Sequence, residues 1–468
     1  MTKRKNSFFQ RKGLALFSAV ILVISILVFF QEETLAVPIF ARKYSTSCMT
    51  CHVGFPKLNA FGEAFKTNGY RLPNDEVFVK EPAVELGSEA YKRVWPNAVW
   101  PGSIPSNVPL SLQIQGQGFY DRARRTTNGQ ARTDFEFPKE IVLNSLGTMG
   151  DNFSFLLDYS LQDAEKRAGV ERVFLEYNDI LAGKVGIPHH LLNMRVGLLD
   201  PAAMPFSATQ TLTADTPEIY NFHISSTHQP AISDDQTGME LFGVVDKRVR
   251  YTAGVVNGVT RDKNTEAFND NNSDKDVYGR VEYKFGGLPF DGDADSKNQA
   301  QLGSGFSYFD QGPSLMLGTT GYYGKDQIDA ATDKSSRYYR WTGFLRANKG
   351  RYNMDVVYLY QLDNNDVGQI NSGLGKNIGN WGFYSEGTAF IYPWLAFVAR
   401  YERLNIGHVS VLRAGGVAPA DNTSRLTLSL PIYVRPNLRI IPEISAGVFS
   451  LKNADESDNF KLRIHYAY

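Results

Sequence analysis

The sequence predicts a mostly β chain: an antiparallel transmembrane barrel of about 16 strands, preceded by a small α-helical module. Three observations point there. The 468 residues include 30 Phe, 24 Tyr and 41 Gly but only 2 Cys, which suits a large β structure and not a disulfide scaffold. Apolar and polar residues alternate through many short segments, keeping mean hydropathy at −0.29, as strands with one lipid face and one wet face require. The last segment puts Phe460, Leu462, Ile464, Tyr466 and Tyr468 at alternate positions, ending on an aromatic. Lys+Arg and Asp+Glu both number 49, so no charge bias suggests a nucleic-acid partner. The chain lacks the several long apolar runs of a helical membrane bundle.

Residues 1–36 read as a secretory signal peptide. Lys3, Arg4, Lys5, Arg11 and Lys12 precede an apolar run over 13–30, and Thr34-Leu35-Ala36 supplies small residues for cleavage. The apolar run is also long enough for a retained anchor. Next come Cys48-Met49-Thr50-Cys51-His52, the attachment pattern of a c-type haem. Two thiols three positions apart can form thioethers to the porphyrin while the adjacent His52 ligates the iron. A thioredoxin-like pair would need a surrounding βαβ pattern, zinc would need a second ligand pair, and so tight a disulfide would be strained. From Pro56, the spacing of Phe55, Leu58, Phe61 and Phe65 predicts a helix of about three turns ending near Asn68-Gly69. The cytochrome c module would span 37–85, too short to wrap a haem alone, so cover must come from elsewhere. The distal ligand is unassigned: an open or water-ligated side is one reading, and the side-chain candidates are Met149, Met194, Met204, Met239, Met316, Met354, His189, His190, His223, His228, His408 and His465.

Residues 86–108, with Pro96, Pro101 and Pro105, read as a linker. The barrel follows over 109–468. Val277, Gly279, Val281, Tyr283 and Phe285 oppose Tyr278, Arg280, Glu282 and Lys284; that charged face would line a wet lumen. Tight connections at 148–151, 348–351, 392–393 and 435–436 alternate with long polar ones at 121–134, 201–235, 259–274, 363–379 and 405–421. An even strand number puts both ends of the mature chain on one side, the periplasm. Asn269–Asp276 and Asp363–Asp366 are rich in oxygen ligands for hard cations. Asp270, Asp274, Asp276, Asp363 and Asp366 are therefore candidate extracellular cation ligands. His189-His190 reads as a solvated loop pair. No Ser/His/Asp set, paired carboxylates or phosphate-cradling Gly loop stands out, so the chemistry expected is electron transfer and not bond making.

The runs Pro38–Tyr44, Cys48–His52 and Leu58–Gly62 resemble the fused monohaem cytochrome–porins of the bacterial outer membrane, similar to the iron-oxidising outer-membrane cytochromes of iron-oxidising bacteria. Arg195-Val196-Gly197 and Val256-Asn257-Gly258 also resemble stretches of phosphate-selective porins. The first resemblance implies one covalent haem c and an outer-membrane barrel of about this size. It further implies electron uptake from an extracellular donor, often Fe(II), with a periplasmic c-type cytochrome as acceptor. Two rivals remain: a porin with a haem-bearing plug, and a membrane-tethered periplasmic electron carrier. The conduit and the porin part on whether the lumen is blocked.

Overall fold

In the computed structural model the chain divides into two compact units, Met1–Ala36 and Val37–Tyr468. The structure describes residues 39–44, 46–72, 84–86, 93, 102–104, 108–121, 132–164, 168–182, 187–220, 232–258, 273–293, 312–329, 334–364, 377–405, 423–448 and 458–468, all in the second unit. The expected leader, most of the linker and the 405–421 loop lie outside them.

Helix α1 (Ile39–Tyr44), a single 3-10 turn over Cys48–Thr50, strands β1 (His52–Gly54) and β2 (Lys57–Leu58), and helix α2 (Ala60–Thr67) form the N-terminal module. Strands β3 (Val84–Leu86) and β4 (Gly102–Ile104) pair within the linker. The barrel then runs β5 (Leu110–Asp121), β6 (Thr133–Met149), β7 (Phe153–Asp163), β8 (Gly169–Tyr177), β9 (Asn193–Leu199), β10 (Gln236–Val245), β11 (Val249–Val256) and β12 (Asp276–Gly286). It continues through β13 (Ser314–Asp329), β14 (Lys334–Lys349), β15 (Tyr352–Asn364), β16 (Asn377–Tyr392), β17 (Leu395–Asn405), β18 (Thr423–Ser429), β19 (Ile432–Arg435), β20 (Leu438–Gly447) and β21 (Asn459–Ala467). Each pairs antiparallel with its neighbour, and β21 closes on β5 from Asn459↔Asp121 to Ala467↔Gln113. β18 and β19 both lie between β17 and β20. They are halves of one stave broken at Leu430-Pro431, where proline has no N–H to give the ladder. The barrel is thus 16-stranded, and each expected strand has its counterpart.

The pleat sorts the two faces. On β12, Val281 (52% exposed), Tyr283 and Phe285 point out, while Tyr278, Glu282 and Lys284 are buried inside. Outward aromatics pair near both rims: Phe153–Tyr177 and Tyr392–Trp394 near the short turns, Trp341–Tyr358 and Tyr358–Trp381 nearer the long loops. An apolar belt between aromatic girdles, on a closed barrel with no free edge, is the architecture of an outer-membrane β-barrel.

The lumen differs from expectation. Several of its charged side chains are shut away from open water: Glu176, Asp276, Glu282 and Arg400 are at most 1% exposed. Two segments fill the space. One is the N-terminal module. The other is 200–220, read from sequence as part of a polar outer loop, which instead folds inward and buries Leu199, Ala203, Leu212 and Ile219 completely. The predicted three-turn helix is also corrected. It starts at Ala60, because Asn59 caps it by accepting the Gly62 N–H at 2.8 Å, and Phe55-Pro56 form the β1–β2 turn. The module holds two short helices and a hairpin, and packs within the same unit as the barrel instead of forming a separate helical domain.

A candidate cofactor site inside the barrel

Local geometry organises the cysteine motif. Ser47 caps the Cys48–Thr50 turn, its side chain accepting from the Met49 N–H, and the Cys51 N–H donates to the Cys48 carbonyl at 3.2 Å. Asn59 ties this turn to α2. Its Nδ2 donates to the carbonyls of Thr50 (2.9 Å) and Met49 (3.3 Å), and its N–H donates to Cys51 O (2.9 Å). Helix and turn approach so closely that a Cβ at Gly62 would lie 2.1 Å from Cys51 O. Hydrogen-bonding from His52 Nδ1 to Pro56 O at 3.0 Å leaves Nε2 as the nitrogen for a ligand.

Cys48 and Cys51 are both free thiols. Burial pushes Cys48 up to about 11 and Cys51, aided by the neighbouring Cys48 sulfur, up to about 12. Burial also draws His52 down to about 4, against backbone hydrogen bonds at Pro56 and Lys57. The imidazole is therefore neutral at physiological pH, the form that ligates a metal.

Cys48, Cys51 and His52 line a cavity of about 730 Å³, within the roughly 300–1,000 Å³ range of cofactor sites. The module supplies an aromatic wall: Phe40 packs edge-on to Phe65 at 4.8 Å and stacks on Tyr70 at 5.4 Å. Barrel strands β5 to β8 give the opposite, polar wall through Gln113, Gln115, Asn144, Asp158 and Arg172, and residues 208–216 close another side. The cover that the short module lacks thus comes from the barrel. Free thiols at the attachment spacing, an oriented imidazole and a cavity of this size fit a covalent haem.

Of the nine distal candidates among the described residues, only His465 lines this cavity. Its ring lies 4.9 Å from Phe55, which lies 5.5 Å from His52. Met204 and Met316 are buried elsewhere in the lumen, and Met239 and Met354 point outward. Met149 and Met194 are partly buried away from the cavity. His189 and His190 sit in the β8–β9 connection, with Asp179 accepting from the His190 N–H and lying 3.1 Å from His189 Nδ1. His223, His228 and His408 lie outside the described residues.

Charge pairs seat the module in the lumen. Lys57 is buried, with its Nζ 2.7 Å from Asn353 Oδ1, 2.8 Å from Asp355 and 3.4 Å from Glu386. Glu63 lies 3.6 Å from Arg250 and 3.7 Å from Arg346. Burial alone would raise its carboxyl, but these two cations outweigh that and hold it below the ordinary carboxylate range. At the short-turn end Arg71 donates to the carbonyls of Gly150 and Phe153, and Asn68 to Asp291 O at 2.7 Å. Sequence reasoning missed Lys57 and Asn59. The Asn preceding an apolar helical face was the available signal for Asn59; a lone lysine offered none.

The oxygen-rich stretches are not all loops. Asp276 is not a loop ligand: it opens β12, fully buried, accepting from the Tyr322 hydroxyl at 2.6 Å and from Tyr338. Asp274 pairs with Lys325 at 2.5 Å. Asp363 belongs to β15, and Asp270 and Asp366 lie outside the described residues. Among the described residues, Glu140, Asp163 and Glu171 are brought together, with ligand oxygens within 4.8 Å of one another.

No protein-family model and no curated protein matches the chain. Solved structures similar to it are porin barrels. The Salmonella typhi OmpF complex with daunomycin aligns at TM-score 0.48 and 10% identity, over 77% of this chain and 97% of that one. OmpT of the Vibrio cholerae outer membrane gives 0.47 and 10%, over 78% and 99%. The outer-membrane channel DcaP of Acinetobacter baumannii gives 0.46 and 9%, over 77% and 96%. These are likenesses of barrel form; the fold itself rests on the strand pairing above.

Proposed function

We propose that the chain is an outer-membrane electron-transfer protein. In this reading one haem c, attached through Cys48 and Cys51 and ligated by His52, takes electrons from an extracellular donor, Fe(II), and delivers them to a periplasmic c-type cytochrome. The observation that carries the reading is the attachment motif facing a cofactor-sized cavity within a lipid-spanning barrel. When bound, haem supplies a one-electron centre whose potential follows ligand, burial and nearby charge. The chain's own residues do the rest. Asn59 fixes the attachment turn against α2, Pro56 O orients His52, and Phe40, Phe65 and Tyr70 offer an apolar face that keeps water from the cofactor. The module and 200–220 fill lumen space that a solute would otherwise use, which supports a conduit over a plugged porin whose main activity is solute passage. The short-turn end, where Tyr468 pairs with Leu112, is the periplasmic end in this reading, since both barrel termini meet there.

Two measurements test it. Haem staining of a denaturing gel should survive boiling in the wild type and vanish when Cys48→Ala and Cys51→Ala are combined. In sealed vesicles of known orientation, a non-permeant Fe(II) complex at the long-loop face alone should reduce the haem. Free passage of small solutes without haem reduction would instead make the protein a plugged porin.

A further inference from the structure

Three arginines line the cavity that holds Cys48, Cys51 and His52: Arg172, Arg439 and Arg463. Two have carboxylate partners, one on the barrel wall and one in segment 200–220. Arg172 pairs with Asp158 at 2.6 Å and Arg463 with Asp215 at 3.4 Å. Arg439, on β20, is 4% exposed, yet no carboxylate among the described residues lies within 4.0 Å of its guanidinium. Its hydrogen-bond partners are uncharged, the Tyr433 hydroxyl among them, and Glu443 attracts it only from beyond that distance. Nη1 donates to Thr211 O at 2.9 Å, and Nη2 and Nε approach His465 Nδ1 at 3.1 and 3.4 Å. A guanidinium cannot accept a hydrogen bond, so His465 Nδ1 is the acceptor. The His465 proton then sits on Nε2, which donates to Gln113 Oε1 at 3.2 Å.

A buried cation without a counter-charge is strongly destabilising. Of the five N–H groups of Arg439, the contacts to Thr211 and His465 use three and the neighbouring Tyr433 hydroxyl takes a fourth, which leaves one for a charge-assisted bond to a carboxylate. The guanidinium also stands on the His52 side of the cavity, because His465 touches Phe55 and Phe55 touches His52. We propose that Arg439 anchors a carboxylate of the cofactor, a haem propionate, and that the pairing stabilises the ferrous state. This rests on the haem reading above. Neutralising the propionate removes an anion that would otherwise favour ferric iron. Arg439 is thus a positioning and potential-setting residue, and His465 and Thr211 fix its orientation.

The test uses the full-length haem-loaded protein in detergent, with 13C in the propionate carboxyls. Spectroelectrochemical titration and redox-difference infrared spectra are compared for wild type, Arg439→Gln, Arg439→Lys and Arg463→Gln. Arg439→Gln should lower the ferrous-to-ferric ratio at fixed applied potential about tenfold, or 59 mV for a one-electron couple, and shift the labelled carboxylate band. Arg439→Lys should recover most of the ratio, and Arg463→Gln should leave the labelled band in place. If Arg439→Gln does not fold, a band shift in Arg439→Lys carries the same assignment. A lowered ratio with an unmoved band would make Arg439 a bare charge and overturn the anchoring, as would no change in either readout. Wild type without covalent haem on a stained gel would overturn the haem reading itself.

Discussion

Two segments fill the barrel, and they are held in different ways. The N-terminal module, residues 39–72, packs Phe40, Tyr44, Phe65 and Tyr70 into an apolar core that it shares with the barrel wall, and side-chain charges fix it there. Lys57 enters an acidic pair on β15 and β16, and Glu63 a basic pair on β11 and β14. Segment 200–220 is held largely through its backbone. Arg280 donates to the carbonyls of Met204 (3.2 Å) and Pro205 (2.8 Å), Arg439 to Thr211 O, Arg400 to Asp215 O (2.9 Å) and Arg463 to Ala214 O. The contrast teaches that a seat built from side chains depends on a few specific residues. A seat built from carbonyls tolerates changes in the segment and depends on the wall.

The largest expected difference follows directly. Lys57→Ala removes the partner of buried carboxylates, which costs about 3–5 kcal/mol when a buried pair is broken. The lower end applies, because Asp355 keeps Arg346 at 2.7 Å and Glu386 keeps Arg400 at 3.6 Å. Thr209→Ala in the other segment should stay within about 0.5 kcal/mol. Hydrogen exchange at 52–67 and at 200–220 reads both; equal loss of protection would erase the distinction.

Gly62→Val should cost about 1–3 kcal/mol by overpacking, since the obstructing atom is the Cys51 backbone carbonyl and not a flexible side chain. The same change should reduce the haem-stained fraction, because it separates α2 from the attachment turn. Full staining with unchanged thermal unfolding would show that the close approach is dispensable.

The smallest effect is a pH dependence. Arg250 and Arg346 hold the Glu63 carboxyl below its unfolded value. Its contribution to seating is therefore complete above the ordinary glutamate pKa of about 4.3 and is lost as pH falls through the lower, folded value. Protection of α2 should be flat from neutrality to about pH 5 and fall below that. Glu63→Gln should flatten this part of the acid profile, and an unchanged profile would assign the acid sensitivity to other carboxylates.

The barrel was legible because its signal is periodic. Each stave repeats the same alternation, so Val281, Tyr283 and Phe285 announce a lipid face without reference to any distant residue, and proline at 431 only splits a stave whose pattern continues across it. The Cys48–His52 spacing is equally local, because attachment chemistry needs those groups within one turn. The helix boundary was misjudged where a cap, Asn59, competed with the apolar spacing from Phe55. Asp276 was misread because a carboxylate at a strand end looks the same in sequence whether it faces water or the tyrosines of β13 and β14.

By itself, then, the sequence determined the staves, their faces and the chemistry of the attachment motif, since each depends on residues a few positions apart. Tertiary structure alone decided what occupies the lumen. It brought Lys57 to Asp355 and Glu386, folded 200–220 inward onto the arginines of β12, β17, β20 and β21, and left Arg439 without a carboxylate beside the cavity. Those pairings join residues 75 to 329 positions apart, and a charge carries no mark in sequence of the partner that closure of the barrel will bring to it.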